Sequence, residues 1–309
     1  MTAVDPPPFA ASDPDEGDRE LLVGAEPVAR SQWQLFRRRF FRHKPAMIGL
    51  GVLVILYVGC FGASWIAPYP KNQQDLLLGP VGPSAEHWFG TDELGRDNLT
   101  ELLYAGQVTL LISLSVAVLS TVLGVALGAV AGFYGRATDQ LLMRVTDLFL
   151  VVPSIVILAI ALQAFGQEPP YIVLVLSSIG WMVIGRVVRS QVLSLREKEF
   201  VEAARASGAS GPRIIVRHIV PNLVGSIVVN VTVGVALAVV AESTLSFLGF
   251  GVRRPDTSWG VMLADARSTP GTDKAHLLYF PALALILVVL AVNFLGDGLR
   301  DASDPQSKK

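Results

Sequence analysis

The chain has 309 residues, 51% of them hydrophobic and 17% charged, with a mean hydropathy of +0.50 and a net charge of -1. That balance excludes an ordinary soluble domain and points to a bilayer, where the position of each charge matters more than the sum. A single cysteine, Cys60, excludes a disulfide framework or a thiolate metal site within one chain.

Residues 1–32 open with Pro6-Pro7-Pro8 and continue through Asp13, Asp15, Glu16 and Asp18. They read as a disordered, acidic, proline-rich tail, and the missing apolar h-region argues against a secretory signal. Residues 33–67 form a basic approach segment, with Arg37, Arg38, Arg39, Arg42 and Lys44, followed by the first transmembrane helix. A bilayer core of about 30 Å needs roughly 20 apolar residues per helix. Six stretches meet that test: Ala46 to Ala67, Val108 to Phe133, Leu142 to Phe165, Tyr171 to Val192, Leu223 to Phe247, and Leu278 to Leu299. The first two are joined by a loop over 68–104, and the third and fourth by the turn-rich Gly166-Gln167-Glu168-Pro169-Pro170, which predicts a tight hairpin.

The second span carries Gly124, Gly128 and Gly132, a small-residue stripe that lets another helix approach closely. In the third, Arg144 and Asp147 share a helix face and predict a local pair. Between the fourth and fifth spans lies a charged segment with Glu202-Ala203-Ala204, Gly208 and Pro221. Ala203 and Ala204 combine high helix propensity with little bulk, as a helix that enters a cleft on another protein requires. Glu202 complements the positive end of the helix dipole. Gly208 is placed to end the helix in a left-handed conformation, and Pro221 to kink the chain as it re-enters the membrane. In the fifth span Asn230, Thr232, Glu242 and Ser246 are candidates for a polar lining of a translocation path, since ionisable groups deep in a span are costly. The other reading of Glu242 is that it reaches the surface or pairs with a neighbouring subunit. Trp88 and Trp259, in the segments 68–104 and 251–276, read as interfacial anchors.

Lysine and arginine placement sets the orientation. With both termini in the cytoplasm the inner segments hold 19 of these residues and the outer ones 6. The fold expected is therefore an all-α membrane protein with six transmembrane helices, both termini cytoplasmic, and a cytoplasmic helix between spans 4 and 5. Gly208-Ala209-Ser210-Gly211 is no nucleophile turn, because no strand precedes it. The scattered histidines His43, His87, His218 and His276 lack metal-ligand spacing. No lysine follows a glycine as a phosphate-cradling loop requires, so an ATP-driven process needs its motor on another polypeptide.

The chain resembles the C-type subunit of the dipeptide, oligopeptide and nickel branch of ATP-binding-cassette importer permeases. The resemblance rests on Trp33 to Ile48, His87-Trp88-Phe89-Gly90-Thr91-Asp92, Leu94-Gly95-Arg96-Asp97, Glu199-Phe200-Val201-Glu202-Ala203-Ala204, Arg217-His218-Ile219-Val220-Pro221-Asn222, Ala241-Glu242, Leu245-Ser246-Phe247-Leu248-Gly249, and Asn293-Phe294-Leu295-Gly296-Asp297-Gly298-Leu299-Arg300-Asp301. Such a resemblance implies a five-helix permease core over 105–300, a C-terminal tail over 301–309, and a multi-pass place in a bacterial inner membrane. It implies a B-type permease as heterodimer partner, two cytoplasmic ATPase domains that hold the ATP and Mg, an extracytoplasmic binding protein and membrane lipid, with no nucleic acid. No cofactor, metal or catalytic residue falls on this chain. Glu202, Ala203, Ala204, Arg205 and Gly208 are implied to form the coupling helix that docks on the ATPase. Peptides are the implied substrate, with nickel or another metal chelate as the alternative. An ion-coupled secondary transporter needs carboxylates or broken helices near the midplane, where only Asn230 and a few hydroxyls are expected.

Overall fold

The computed structural model describes residues 32–303, so the acidic tail expected over 1–32 falls outside it apart from Gln32, as do residues 304–309. The described residues are almost entirely helical, with one isolated antiparallel bridge between Thr91 and Asp97. In chain order the helices are α1 (Gln32–Arg42), α2 (Lys44–Phe61), the single turn α3 (Ala63–Ile66), α4 (Asn98–Tyr134), α5 (Arg136–Val151), α6 (Ser154–Phe165) and α7 (Pro169–Leu195). There follow α8 (Glu199–Ala206), α9 (Gly211–Ile214), α10 (Val224–Phe247), α11 (Trp259–Asp265) and α12 (His276–Ser303). Five helices are long and apolar enough to cross a membrane, and α5 with α6 makes a sixth if the bent pair is one span.

Helix α4 is the centre of the bundle. Its 37 residues extend about 55 Å, well beyond a bilayer core. The excess lies at its start, where the ten residues before Val108 continue the helix into a folded cap. Asp97 begins α4 by accepting from Thr100 N and Thr100 Oγ1, each at 2.8 Å. Around this N-cap the segment 68–97 is held by a buried polar network. Arg96 Nε donates to Asp92 Oδ2 at 2.7 Å, Arg96 pairs with Glu101 at 3.4 Å, and Asn72 N donates to Glu101 Oε1 at 3.1 Å. Ion pairs Lys274–Glu93 (2.9 Å) and Lys71–Asp256 (3.3 Å) and the stacked rings of Phe89 and Phe280 join this segment to residues 251–280.

Along its length α4 lies against α7. A Cβ added at Gly124 would stand 2.8 Å from Ile184 Cβ, and one at Gly132 would stand 2.9 Å from the Arg189 carbonyl. Gly128 meets the Gly185 backbone even more closely. The stripe thus packs within the subunit, where lipid supplies no hydrophobic drive and close backbone approach supplies dispersion contact instead. A second cluster joins α2, α4, α10 and α12 through Leu53, Leu110, Val239 and Val288.

Three sequence expectations are corrected. The third span is not one straight helix: α5 and α6 meet at 91° around Val152-Pro153. Proline lacks the N–H that would continue the ladder and forces the residue before it out of the helical region, and Val152 is extended (φ -85°, ψ 137°). Asp147 does not pair with Arg144 but with Arg186 of α7 at 2.5 Å, while Asp139 takes a two-pronged bond from Arg189. The two carboxylates of α5 are therefore paired across the helix gap. Trp259 is no interfacial anchor. It is 1% exposed, Trp259 Nε1 donates to the Leu102 carbonyl at 2.9 Å, and Gly106 leaves room for its ring. Trp88, by contrast, is exposed.

Because Gly128 faces backbone rather than a movable side chain, Gly128→Val should destabilise the protein by about 1–3 kcal/mol in mixed-micelle unfolding. Gly51→Ala, at a position with open space around it, should change stability by less than about 1 kcal/mol. Equal behaviour of the two variants would contradict the packing described.

Candidate functional site

The charged segment between α7 and α10 is built from a short helix clamped on one side. Helix α8 starts after Lys198 and carries Glu199 and Glu202 in its first turn and Arg205 in its last, each at the dipole end that favours it. Its end is a left-handed cap: Gly208 has φ +78°, Gly208 N donates to the Arg205 carbonyl at 2.9 Å, and Ala209 N reaches the Ala204 carbonyl at 3.0 Å. Gly208 has no neighbour within 4 Å of a Cβ position, so its constraint is conformational and not steric.

Two faces of α8 differ. Val201 is fully buried and Ala204 half-buried in a cluster with Ala129 of α4, Val188 and Val192 of α7, and Ile214, Ile215, Ile219 and Leu223. Glu202, Ala203, Arg205 and Ala206 are exposed. Of the two alanines only Ala203 is offered outward, and Ala204 is small because it must pack. Arg205 lies over the Phe133 ring at 5.3 Å, and Arg196 donates to the Gly132 carbonyl at 3.0 Å, so the end of α4 supports both ends of α8.

Around Pro221, where the sequence predicts a kink, the winding of the helix changes. Residues Gly211–Phe247 run on as a single 37-residue span. The helix adapts through a π turn over Ile215–Ile219 and a 3-10 turn over Val220–Leu223. These absorb the proline's missing N–H, and Asn222 Nδ2 donates to the His218 carbonyl at 2.6 Å.

The four polar residues proposed for a path separate. Asn230 borders a cavity of about 260 Å³ also lined by Ser120 and Gly180, and its Nδ2 donates to the Ser226 carbonyl at 2.8 Å. Thr232 turns to the other side of α10, near Gly296 of α12. Glu242 and Ser246 lie at the opposite end of α10 and are enclosed, at 0% and 3% exposure. Ser246 Oγ donates to Glu242 Oε1 at 2.8 Å and Ser243 Oγ to Glu242 Oε2 at 3.3 Å. Ser258 Oγ reaches Ser246 Oγ at 3.3 Å while its own oxygen caps α11. Trp259 N donates to Thr109 Oγ1 at 3.1 Å. Glu242 therefore neither lines the cavity at Asn230 nor reaches the surface. It satisfies the hydroxyls that tie α11 to α10 and α4. Sequence reading missed Thr109 and Ser258 in this network, and it missed the carboxylate–arginine cluster of Asp92, Arg96 and Glu101. The one available signal for the latter was charge density just before a helix start.

Glu242→Ala should destabilise the fold by about 1–3 kcal/mol, because the serine hydroxyls lose a buried acceptor. Glu242→Gln, which keeps one acceptor oxygen, should cost less. Thermal unfolding together with the protease sensitivity of residues 251–275 checks both, and equal losses would rule out the acceptor role.

Two family models match the chain. The model described as binding-protein-dependent transport system inner membrane component covers residues 124–309, and that described as the N-terminal TM domain of oligopeptide transport permease C covers 31–80. The chain is similar to the oligopeptide transport system permease protein OppC of Mycobacterium tuberculosis, 41% identical over 282 residues, or 90% of this chain and 96% of the relative. It is also similar to the protein of the same name from Haemophilus influenzae, 38% identical over 281 residues and 90% of each chain. The apolar helices and these matches together give a multi-pass inner-membrane protein. The chain belongs to the family of binding-protein-dependent transport system inner membrane components.

Proposed function

We propose that this permease subunit forms half of the translocation pathway of an ATP-driven importer of peptides, with a B-type permease as its partner. The peptide substrate is supported by the names of the relatives, which favour it over a metal chelate. Two ATPase domains on partner chains would bind ATP and Mg, since the sequence lacks a phosphate-cradling loop. An extracytoplasmic binding protein would deliver substrate to the cap formed by residues 68–97 and 251–275. The excess of lysine and arginine near the α1 and α8 side favours a cytoplasmic position for that side and for both termini.

The observation that carries this reading is the two-faced α8. Val201 and Ala204 fix it to α4, α7 and the start of the α10 span, while Glu202, Ala203 and Ala206 project from the bundle. Such a helix is suited to dock in a groove of the ATPase and to transmit ATP-driven closure to three spans as one body. Arg205 is held over Phe133 and Gly208 ends the helix, so both define its shape. On this reading the path runs beside Asn230 and its cavity. Thr232 supports the α10–α12 packing, and Glu242 and Ser246 position the cap. ATP and loaded binding protein must both favour the same conformation, because a ligand shifts an equilibrium only through differential affinity.

In the reconstituted complex Glu202→Lys or Gly208→Asp should leave insertion intact and lower ATP-dependent uptake of a radiolabelled peptide by roughly tenfold or more. ATPase co-purification should fall with it. Normal uptake and co-purification in both variants would overturn the assignment.

A further inference from the structure

Helix α1 presents a basic face to which the transport reading gives a role in orientation alone. Helix α1 packs on α12, with Phe36 and Phe40 half-buried, and the following His43 has Nε2 3.6 Å from Asp301. Its outer side exposes Gln34, Arg37, Arg38, Phe41 and Arg42, and Lys44 follows at the start of α2. Among the described residues Arg37, Arg38, Arg42 and Lys44 make no ion pair. Gln34, Leu35, Arg37, Arg38, Phe41 and Arg42 enclose an open groove of about 580 Å³.

The charges do not stand alone. Phe41, in their midst, is 58% exposed, and the apolar exposure continues along α2 at Ile48 (64%), Ile55 (71%) and Val58 (62%). A soluble anion has no use for that apolar track. A phospholipid uses both parts: guanidinium forks match phosphate oxygens, and acyl chains lie against aliphatic side chains. Basic clusters beside a transmembrane helix attract anionic headgroups, by about fivefold in binding per charge.

We propose that the face formed by Arg37, Arg38 and Arg42, with Lys44, binds the headgroups of anionic phospholipids whose acyl chains run along the exposed side of α2. The inference rests on the membrane location of the chain and not on its substrate or its ATPase partners, so it stands or falls apart from them.

The test uses the full-length chain reconstituted in phosphatidylcholine bilayers with trace spin-labelled phosphatidylglycerol or phosphatidylcholine. Electron paramagnetic resonance then gives the fraction of each lipid held at the protein. The wild type should select phosphatidylglycerol, and the selectivity should fall with added salt. The variant Arg37→Gln/Arg38→Gln/Arg42→Gln should lose roughly threefold or more of that selectivity, and Arg37→Lys/Arg38→Lys/Arg42→Lys should keep most of it. Equal selectivity in wild type and glutamine variant overturns the proposal, as does displacement of the lipid by inorganic phosphate at matched ionic strength, which would mean a free-phosphate site. Should the glutamine variant fail to insert, the wild type decides. Absence of selectivity at low salt, as expected if residues 1–31 or a partner protein covers the face, overturns it.

Discussion

The close crossing of α4 and α7 is the constraint on which the rest of the structure depends. Lipid is as apolar as leucine, so two spans gain nothing from hiding oily surface from each other. They gain from contact density, and Gly124, Gly128, Gly132 and Gly185 allow backbone to meet backbone. Once that pair is fixed, α10 has one surface to pack on, α12 fills the space between α10 and α2, and α5 is drawn to α7 by its arginines. Helix α2 stays peripheral, with much of its apolar side unpaired in this chain.

Polar groups follow the same economy of position. Several charges near the ends of the bundle, such as Asp139 with Arg189 and Glu93 with Lys274, are paired across elements, whereas the fully enclosed carboxyl of Glu242 is surrounded by hydroxyls. A carboxyl so placed gathers donors from α10 and from the segment before α11, and thereby fixes how the cap sits on the spans. The carboxylates Asp92 and Glu101 do comparable work around Arg96 at the other half of the cap. Removing any one of these groups would leave buried donors without acceptors, which explains why these regions are rich in short polar residues instead of apolar ones.

Much of this was legible in the sequence because membrane constraints are coarse. Twenty-residue apolar runs and the glycine spacing each register at a scale that composition and period capture. Gly208 was legible for a finer reason, since an exposed small residue after a short amphipathic helix has few other uses. The break between α5 and α6 was also within reach: Val152 precedes Pro153, and the expectation of one span over Leu142 to Phe165 gave more weight to hydropathy than to that local restriction. What sequence did not disclose were pairings between distant segments. Asp147 has Arg144 as its near neighbour in sequence and Arg186 as its partner in space. Trp259 looks like many interfacial tryptophans until the hollow at Gly106 is known. The hydroxyls around Glu242 come from three separate elements, and no period in the chain marks them.

One consequence follows from the reach of α4. Its N-terminal turn is embedded in the cap beside Asp97 and Glu101, and its last turn, at Phe133 and Tyr134, sits beneath α8 and Gly211. A single unbroken rod therefore touches both faces of the membrane protein. A small tilt about the glycine crossing, acting as a fulcrum, would swing its two tips in opposite directions, so that events at one aqueous side are felt at the other without any relay of side chains between.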